Sequence, residues 1–296
     1  MDNVTVRTDP AGNIKADKEK STEKIDGAVA TIMALDRAIR CGKGGTNSVY
    51  DERDNCAIVT SGELNMNLSE VNTQLYELYA SNLENLKTIY DRASGCGIVD
   101  YANPLLLSCH EGYLEAKKKI IYIGQETCSW YSDPRNQVLT SDDIKMLQSG
   151  YLNFMLPQTY VSPFWLFIYE VSRTVSEGCN YMWSNICKIG KRHDAGRADH
   201  RINELETCYF NIGKKEIGIL DPDLIVFLSG PNYDQDIKSH FGNFRIVQNY
   251  DDCFDQLSID GMRCKAFRLY HPNYHNYLGR EKKQKYKEKL IQLINQ

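Results

Sequence analysis

The sequence from about Met66 to Gln296 predicts a three-layer α/β/α domain around a central, mostly parallel, four-stranded sheet. Four short apolar runs bounded by Gly, Pro or polar clusters read as buried strands. Segments with helical apolar spacing separate them, and strands alternating with helices argue a parallel sheet covered on both faces. No internal repeat or low-complexity tract interrupts this stretch.

The elements follow in order. Val71–Arg92 has an amphipathic helical pattern in Leu75, Leu78, Tyr79, Leu83, Leu86 and Ile89. Lys119–Gly124 is the first strand. Pro163–Val175 is a helix rich in Phe, Trp and Ile. Asn180–Ile189 is the second strand, Arg201–Gly218 a helix, and Leu224–Ser229 the third strand. Lys265–Tyr270 is the fourth strand, and Gly279–Asn295 a closing helix with Lys282, Lys283, Lys285, Lys287 and Lys289. Such a lysine run is ordinarily a solvated face.

The first 65 residues read differently, as a helical extension and a partly disordered linker. Asp9-Pro10-Ala11-Gly12-Asn13 is a turn signal. Ile25, Val29, Ile32, Met33 and Ile39 give helical spacing after a Ser21 or Thr22 cap. Cys41–Asn65 has linker composition.

Composition bounds the function. A net charge of −4 argues weakly against general nucleic-acid binding, which rests on Lys and Arg at phosphates. Ten scattered Cys include no C-x-x-C and no zinc spacing, which fits reduced thiols in a cytoplasmic protein. No secretory signal and no apolar run of membrane length is present.

In a parallel sheet, ligands bind beyond the carboxyl ends of the strands. Four loops therefore matter: 124–130, 185–193, 230–234 and 271–276. The first holds Gly124, where backbone can approach a ligand, then Gln125 and Glu126, a possible general base. Asn185 is an amide in an apolar strand. It reads either as a satisfied core group or as a donor–acceptor pair for a base edge. Gly230 ends the third strand. His271-Pro272 follows the fourth, and the Pro holds the His in extended geometry.

Gly-Gln-acidic, an inward Asn, a Gly-ended strand and then His-Pro, in this order over about 119–277, resemble the uracil-DNA glycosylase superfamily. The resemblance implies a metal-independent DNA glycosylase of base excision repair, with DNA as partner and no cofactor. It implies water handling by Gln125 and Glu126, base reading by Asn185 beside Gly124, and His271 stabilising the leaving base. Tyr151, Phe154 and Tyr160 are candidates for the stacking aromatic. Gly230, Asn273 and Tyr274 fall where the family meets DNA, Tyr274 as a wedge. Some members carry an iron–sulfur cluster, and the scattered cysteines give none here. The chain departs from the family at Glu126-Thr127-Cys128, where Asp-Pro-Tyr or Pro-Gly is usual, and at Asn273-Tyr274-His275. Base preference therefore stays open between uracil and another modified pyrimidine, and a catalytically inactive binding domain is the alternative. Separately, about 1–53 resemble the C-terminal end of a phage terminase large subunit, with Asp26 at a nuclease metal ligand. One carboxylate builds no two-metal site, so no nuclease activity is expected.

Overall fold

The computed structural model describes residues 6–8, 14–16, 66–131, 138, 140–175 and 180–296. The chain divides into two compact units, Met1–Leu64 and Asn65–Gln296. In the first, β1 (Val6–Thr8) and β2 (Ile14–Ala16) pair antiparallel, with Arg7 opposite Lys15. The predicted 21–39 helix, the linker and Asp26 lie outside the described residues.

The second unit is α/β with a mixed six-stranded sheet. Its strands are β3 (Ile120–Cys128), β4 (Tyr181–Lys191), β5 (Leu224–Leu228), β6 (Phe244–Asp251), β7 (Phe254–Ile259) and β8 (Lys265–Leu269), in the order β4-β3-β5-β8-β7-β6. The four predicted strands are β3, β4, β5 and β8, and their three pairings are parallel. The expectation of four strands is corrected by β6 and β7, which pair antiparallel with each other and continue the sheet from β8. β6 is mostly exposed, so its sequence lacks the apolar run that marks a buried strand. β7 is docked by charge as well as by apolar contact. Arg268 on β8 is buried and pairs with Asp255 on β7 and with Asp234.

Helices α1 (Leu68–Ser81) and α2 (Leu83–Gly95) replace the single predicted helix. The break has a local cause: Ser81 Oγ and Asn82 Nδ2 both bond the Leu78 carbonyl, competing with the helical ladder. α3 (Glu111–Leu114) precedes β3, and α4 (Ser141–Met155) and α5 (Pro163–Ser172) link β3 to β4. Ser162 caps α5 and Pro163 occupies its first turn. α6 (His200–Tyr209) and α7 (Gly213–Leu220) replace one predicted helix. α8 (Asp234–Phe241) follows β5, and α9 (His275–Ile294) closes the chain with a non-helical kink at Gly279. The chain crosses from β3 to β4 in one direction and back past β3 to β5 in the other.

β4 is an edge strand, yet all but its last residue are buried. Its outer backbone groups are met by side chains and irregular chain instead of another strand. His110 meets the Tyr181 carbonyl, and the Tyr151 hydroxyl bonds both the N–H and the carbonyl of Trp183. Glu206 accepts from the N–H groups of Lys188 at 2.6 Å and Ile189 at 3.1 Å. Leu105 and Ala102 donate to the carbonyls of Lys188 and Gly190. The Lys188 ammonium is itself buried, paired with Glu216 and bonded to Ser184, while Tyr79 donates to Glu216 at 2.7 Å. Glu206→Ala should strand two buried N–H groups beside a buried ammonium and cost about 3 kcal/mol. Urea unfolding monitored by far-UV circular dichroism measures this, and Glu206→Gln, which keeps one acceptor, should lose less.

Candidate active site

A cleft of about 540 Å³ opens at the carboxyl end of β3 and β4. β3 reaches it by continuing to Cys128, so Gln125, Glu126 and Thr127 belong to a strand and not to the predicted loop. A register shift between Glu126 and Cys128 bends β3 at this point. Past the bend the two strands nearly touch: a Cβ on Gly190 would sit 1.9 Å from the Thr127 carbonyl oxygen.

One side of the cleft is polar. Gly124 and Asn185 are paired across β3 and β4, and a Cβ on Gly124 would lie 2.4 Å from Asn185 Oδ1. Glycine there is the space that the Asn185 amide occupies. Gln125, Glu126, Thr127, His271 and Asn273 complete this side. Gln125 donates its amide to the Ser229 carbonyl at 2.9 Å. The other side is aromatic, built from Phe154, Phe164, Trp130, Trp165 and Trp183. All three tryptophans of the chain are here. The rings of Phe154, Trp165 and Trp183 form a triangle with centroids 5.2 to 5.4 Å apart.

Four buried polar atoms of this lining have no hydrogen-bond partner within the protein: Asn185 Nδ2, Thr127 Oγ1, Trp130 Nε1 and Trp183 Nε1. Buried polar groups are otherwise almost always paired. Here four unpaired ones belong to residues that line one aromatic-walled cleft.

Two titratable groups of the lining depart from their ordinary pKa values. The His271 ring stacks on Phe164 at 5.1 Å and is largely buried, which together with the nearby Lys283 ammonium brings its pKa down to about 4. The Asn273 N–H donates to Nδ1 at 3.2 Å. The imidazole is therefore neutral near pH 7 and carries its proton on Nε2. Glu126 is pushed above the usual carboxylate range by burial, against a hydrogen bond from Tyr233 and the charge of Arg197. The Tyr233 hydroxyl donates to Glu126 Oε2 at 2.5 Å. Arg197 lies 3.9 Å over the Tyr233 ring and is anchored to Asp236.

The predicted residues thus divide. Gly124, Gln125, Glu126, Phe154, Asn185, His271 and Asn273 share the cleft. Tyr151 does not: its ring is fully buried behind Trp183 and its hydroxyl closes the β4 edge. Tyr160 stacks on Phe154 at 4.2 Å outside the lining. Gly230, at φ 73°, packs against Tyr270, which also stacks on Tyr274 at 4.8 Å, so neither predicted contact lines the cleft. The reading from sequence missed Phe164, Trp165 and Tyr233. Phe164-Trp165 opens the capped, proline-started α5, a signal that was available. Nothing local marks Tyr233.

No protein-family model matches the chain, and no curated protein is detectably similar to it. The site is therefore read from its own chemistry. Among the described residues, no group of three His, Cys, Asp or Glu is placed to hold a metal ion, and no helix is long and apolar enough to cross a membrane.

Tyr233→Phe removes the hydrogen bond that favours the ionised carboxylate, so the Glu126 pKa should rise further. A ¹³C-NMR titration of the Glu126 carboxyl reads this directly, and an unchanged value would show that the hydroxyl does not govern it. His271, depressed to about 4, acts on stability with the opposite sign. The unfolded imidazole binds its proton first, so this group lowers stability as pH falls from about 6.5 towards 4.

Proposed function

We propose that the protein is a DNA glycosylase-like hydrolase that removes a flipped uracil or modified pyrimidine. The observation that carries this reading is the unpaired, buried Asn185 amide in a cleft shared with a neutral histidine and a carboxylate. The resemblance of the strand-end motifs to the uracil-DNA glycosylase superfamily agrees with it.

The chemistry follows from the geometry. A base inside the duplex is out of reach, so the nucleotide must leave the stack. The aromatic wall receives its faces, and Asn185 offers a donor and an acceptor to its edge. Water oxygen bonds to C1′ as the C1′–N bond breaks, and the electron pair leaves with the base. The His271 Nε2–H donates to the base oxygen where negative charge develops, and a neutral imidazole does this without first giving up a proton. Glu126, when ionised, takes the proton of the attacking water. The raised pKa of Glu126 makes the reaction fall off at a higher pH than an ordinary glutamate would.

One observation favours a silent, nucleic-acid-binding relative. Glu126 is already engaged by Tyr233, and burial disfavours its ionised form. The same experiment separates the two readings. The purified chain should release a free base from DNA containing uracil or a modified pyrimidine, scored by chromatography. His271→Ala should slow release at least about tenfold, in line with the cost of losing one such donor. Binding without release across a broad panel, unaffected by Glu126→Gln, selects the silent reading.

A further inference from the structure

Arg197 reaches the cleft only through another side chain. It sits in the 192–199 connection between β4 and α6, whose Ala195 and Gly196 line the cleft, whereas Arg197 and Tyr233 do not. Its guanidinium carbon lies 3.9 Å over the Tyr233 ring. The same group forks onto Asp236 of α8, with Nη2 at 2.6 Å from Oδ2 and Nη1 at 3.3 Å from Oδ1. Nη2 also donates to the Asn232 carbonyl at 3.3 Å. Tyr233 is buried beneath this group, and its hydroxyl donates to Glu126 Oε2 at 2.5 Å. One ring thus joins β3, the end of β5, the 192–199 connection and α8. Arginine suits the position because a planar guanidinium can lie flat on a ring while its edge holds a carboxylate. A partly exposed ion pair alone would contribute little. Here the pair fixes the group that holds Tyr233.

We propose that Arg197 is a positioning residue for Glu126, acting through the Tyr233 ring on which it lies. The inference rests on the reading of Glu126 as the general base. Stacking holds the ring, the ring places its hydroxyl on Oε2, and engaging Oε2 leaves Oε1 to take the proton of the attacking water. The groups that act on Glu126 come from several elements. Arg197 and Lys191 favour its ionised form, and Asp236 opposes it. Cys187, opposite Glu126 across β3 and β4, is held neutral by burial, as is His271. Against the burial of Glu126, the Tyr233 hydrogen bond is the largest influence that keeps the carboxylate ionised. Losing the ring's support therefore moves Glu126 towards the neutral form, which accepts no proton.

Arg197→Gln, Arg197→Lys, Tyr233→Phe and the Arg197→Gln, Tyr233→Phe double variant are compared in the full chain. The readouts are the ¹³C-NMR titration of the Glu126 carboxyl and the pH profile of base release. Arg197→Gln should raise the carboxyl midpoint by roughly half a pH unit or more. That lowers the rate about threefold on the acid limb of the profile. Arg197→Lys keeps the charge but cannot stack and fork at once, so it should retain more than about half of that shift. In the Tyr233→Phe background, Arg197→Gln should add at most about a third of the shift it causes alone. The same shift in both backgrounds overturns the proposal, because Arg197 then acts by its own field. An unmoved midpoint in Arg197→Lys overturns it on the same ground, and decides the case if the Gln variant does not fold. A rate lowered equally at every pH, with the midpoint in place, overturns it in favour of a purely structural role. If the wild-type chain releases no base from any DNA, the glycosylase reading fails, while the titration still decides whether Arg197 governs Glu126 through Tyr233.

Discussion

The outer edge of β4 is the constraint on which the rest of the domain depends. This strand carries Asn185 and Gly190, and its position beside β3 sets the shape of the cleft. An edge strand normally exposes a row of unpaired N–H and carbonyl groups to water. Here that row is buried, so every group needs a partner inside the protein. Glu206 answers two of them, Tyr151 two more, His110 one, and the chain around Ala102–Leu105 the other two described above. The cost is a second buried charge: Lys188 sits in the same strand and is balanced by Glu216, which Tyr79 holds in turn. Removing one partner of such a set leaves a bare charge, which costs far more than the set gains.

The same trade between burial and pairing shapes the cleft. Its polar groups fall into two kinds. Gln125, Glu126 and His271 are already held by protein atoms: the Ser229 carbonyl, the Tyr233 hydroxyl and the Asn273 N–H. Asn185, Thr127 and two indole N–H groups are buried and unmet. The first kind is held in place by the protein itself. The second kind has no partner within the protein. Pre-set groups of this sort lower the reorganisation needed during a reaction.

Much of this was legible in the sequence, for physical reasons that also explain the failures. Ile120–Ile123 of β3 and Leu224–Leu228 of β5 are buried on both faces and leave continuous apolar runs, while β4 and β8 are mainly apolar but carry Asn185, Lys188 and Arg268 inside the strand. Gly124 and Asn185 face each other within β3 and β4, His271 follows β8, and the parallel arrangement brings them together. β6 is half-solvated and left no such run, so the sheet came out two strands short. Tyr151 was read as a stacking ring, but a sequence cannot show that its hydroxyl is committed to the backbone of Trp183. Tyr233 was invisible because its role is a contact with Glu126, 107 positions away. Helix breaks at Asn82 and after Tyr209 were smoothed over by apolar spacing that continues across them.

The two edges of the sheet are finished in opposite ways. β4 is sealed, whereas β6 presents an exposed strand with Ile246 and Val247 about half open to solvent. Strand-to-strand association between molecules is therefore directed to β6. That edge lies four places along the sheet from β3, roughly 19 Å at ~4.8 Å per strand. Joining copies through it, whether in storage, in a crystal or by design, leaves the cleft unobstructed, so the domain lends itself to immobilisation or tandem linkage from that side.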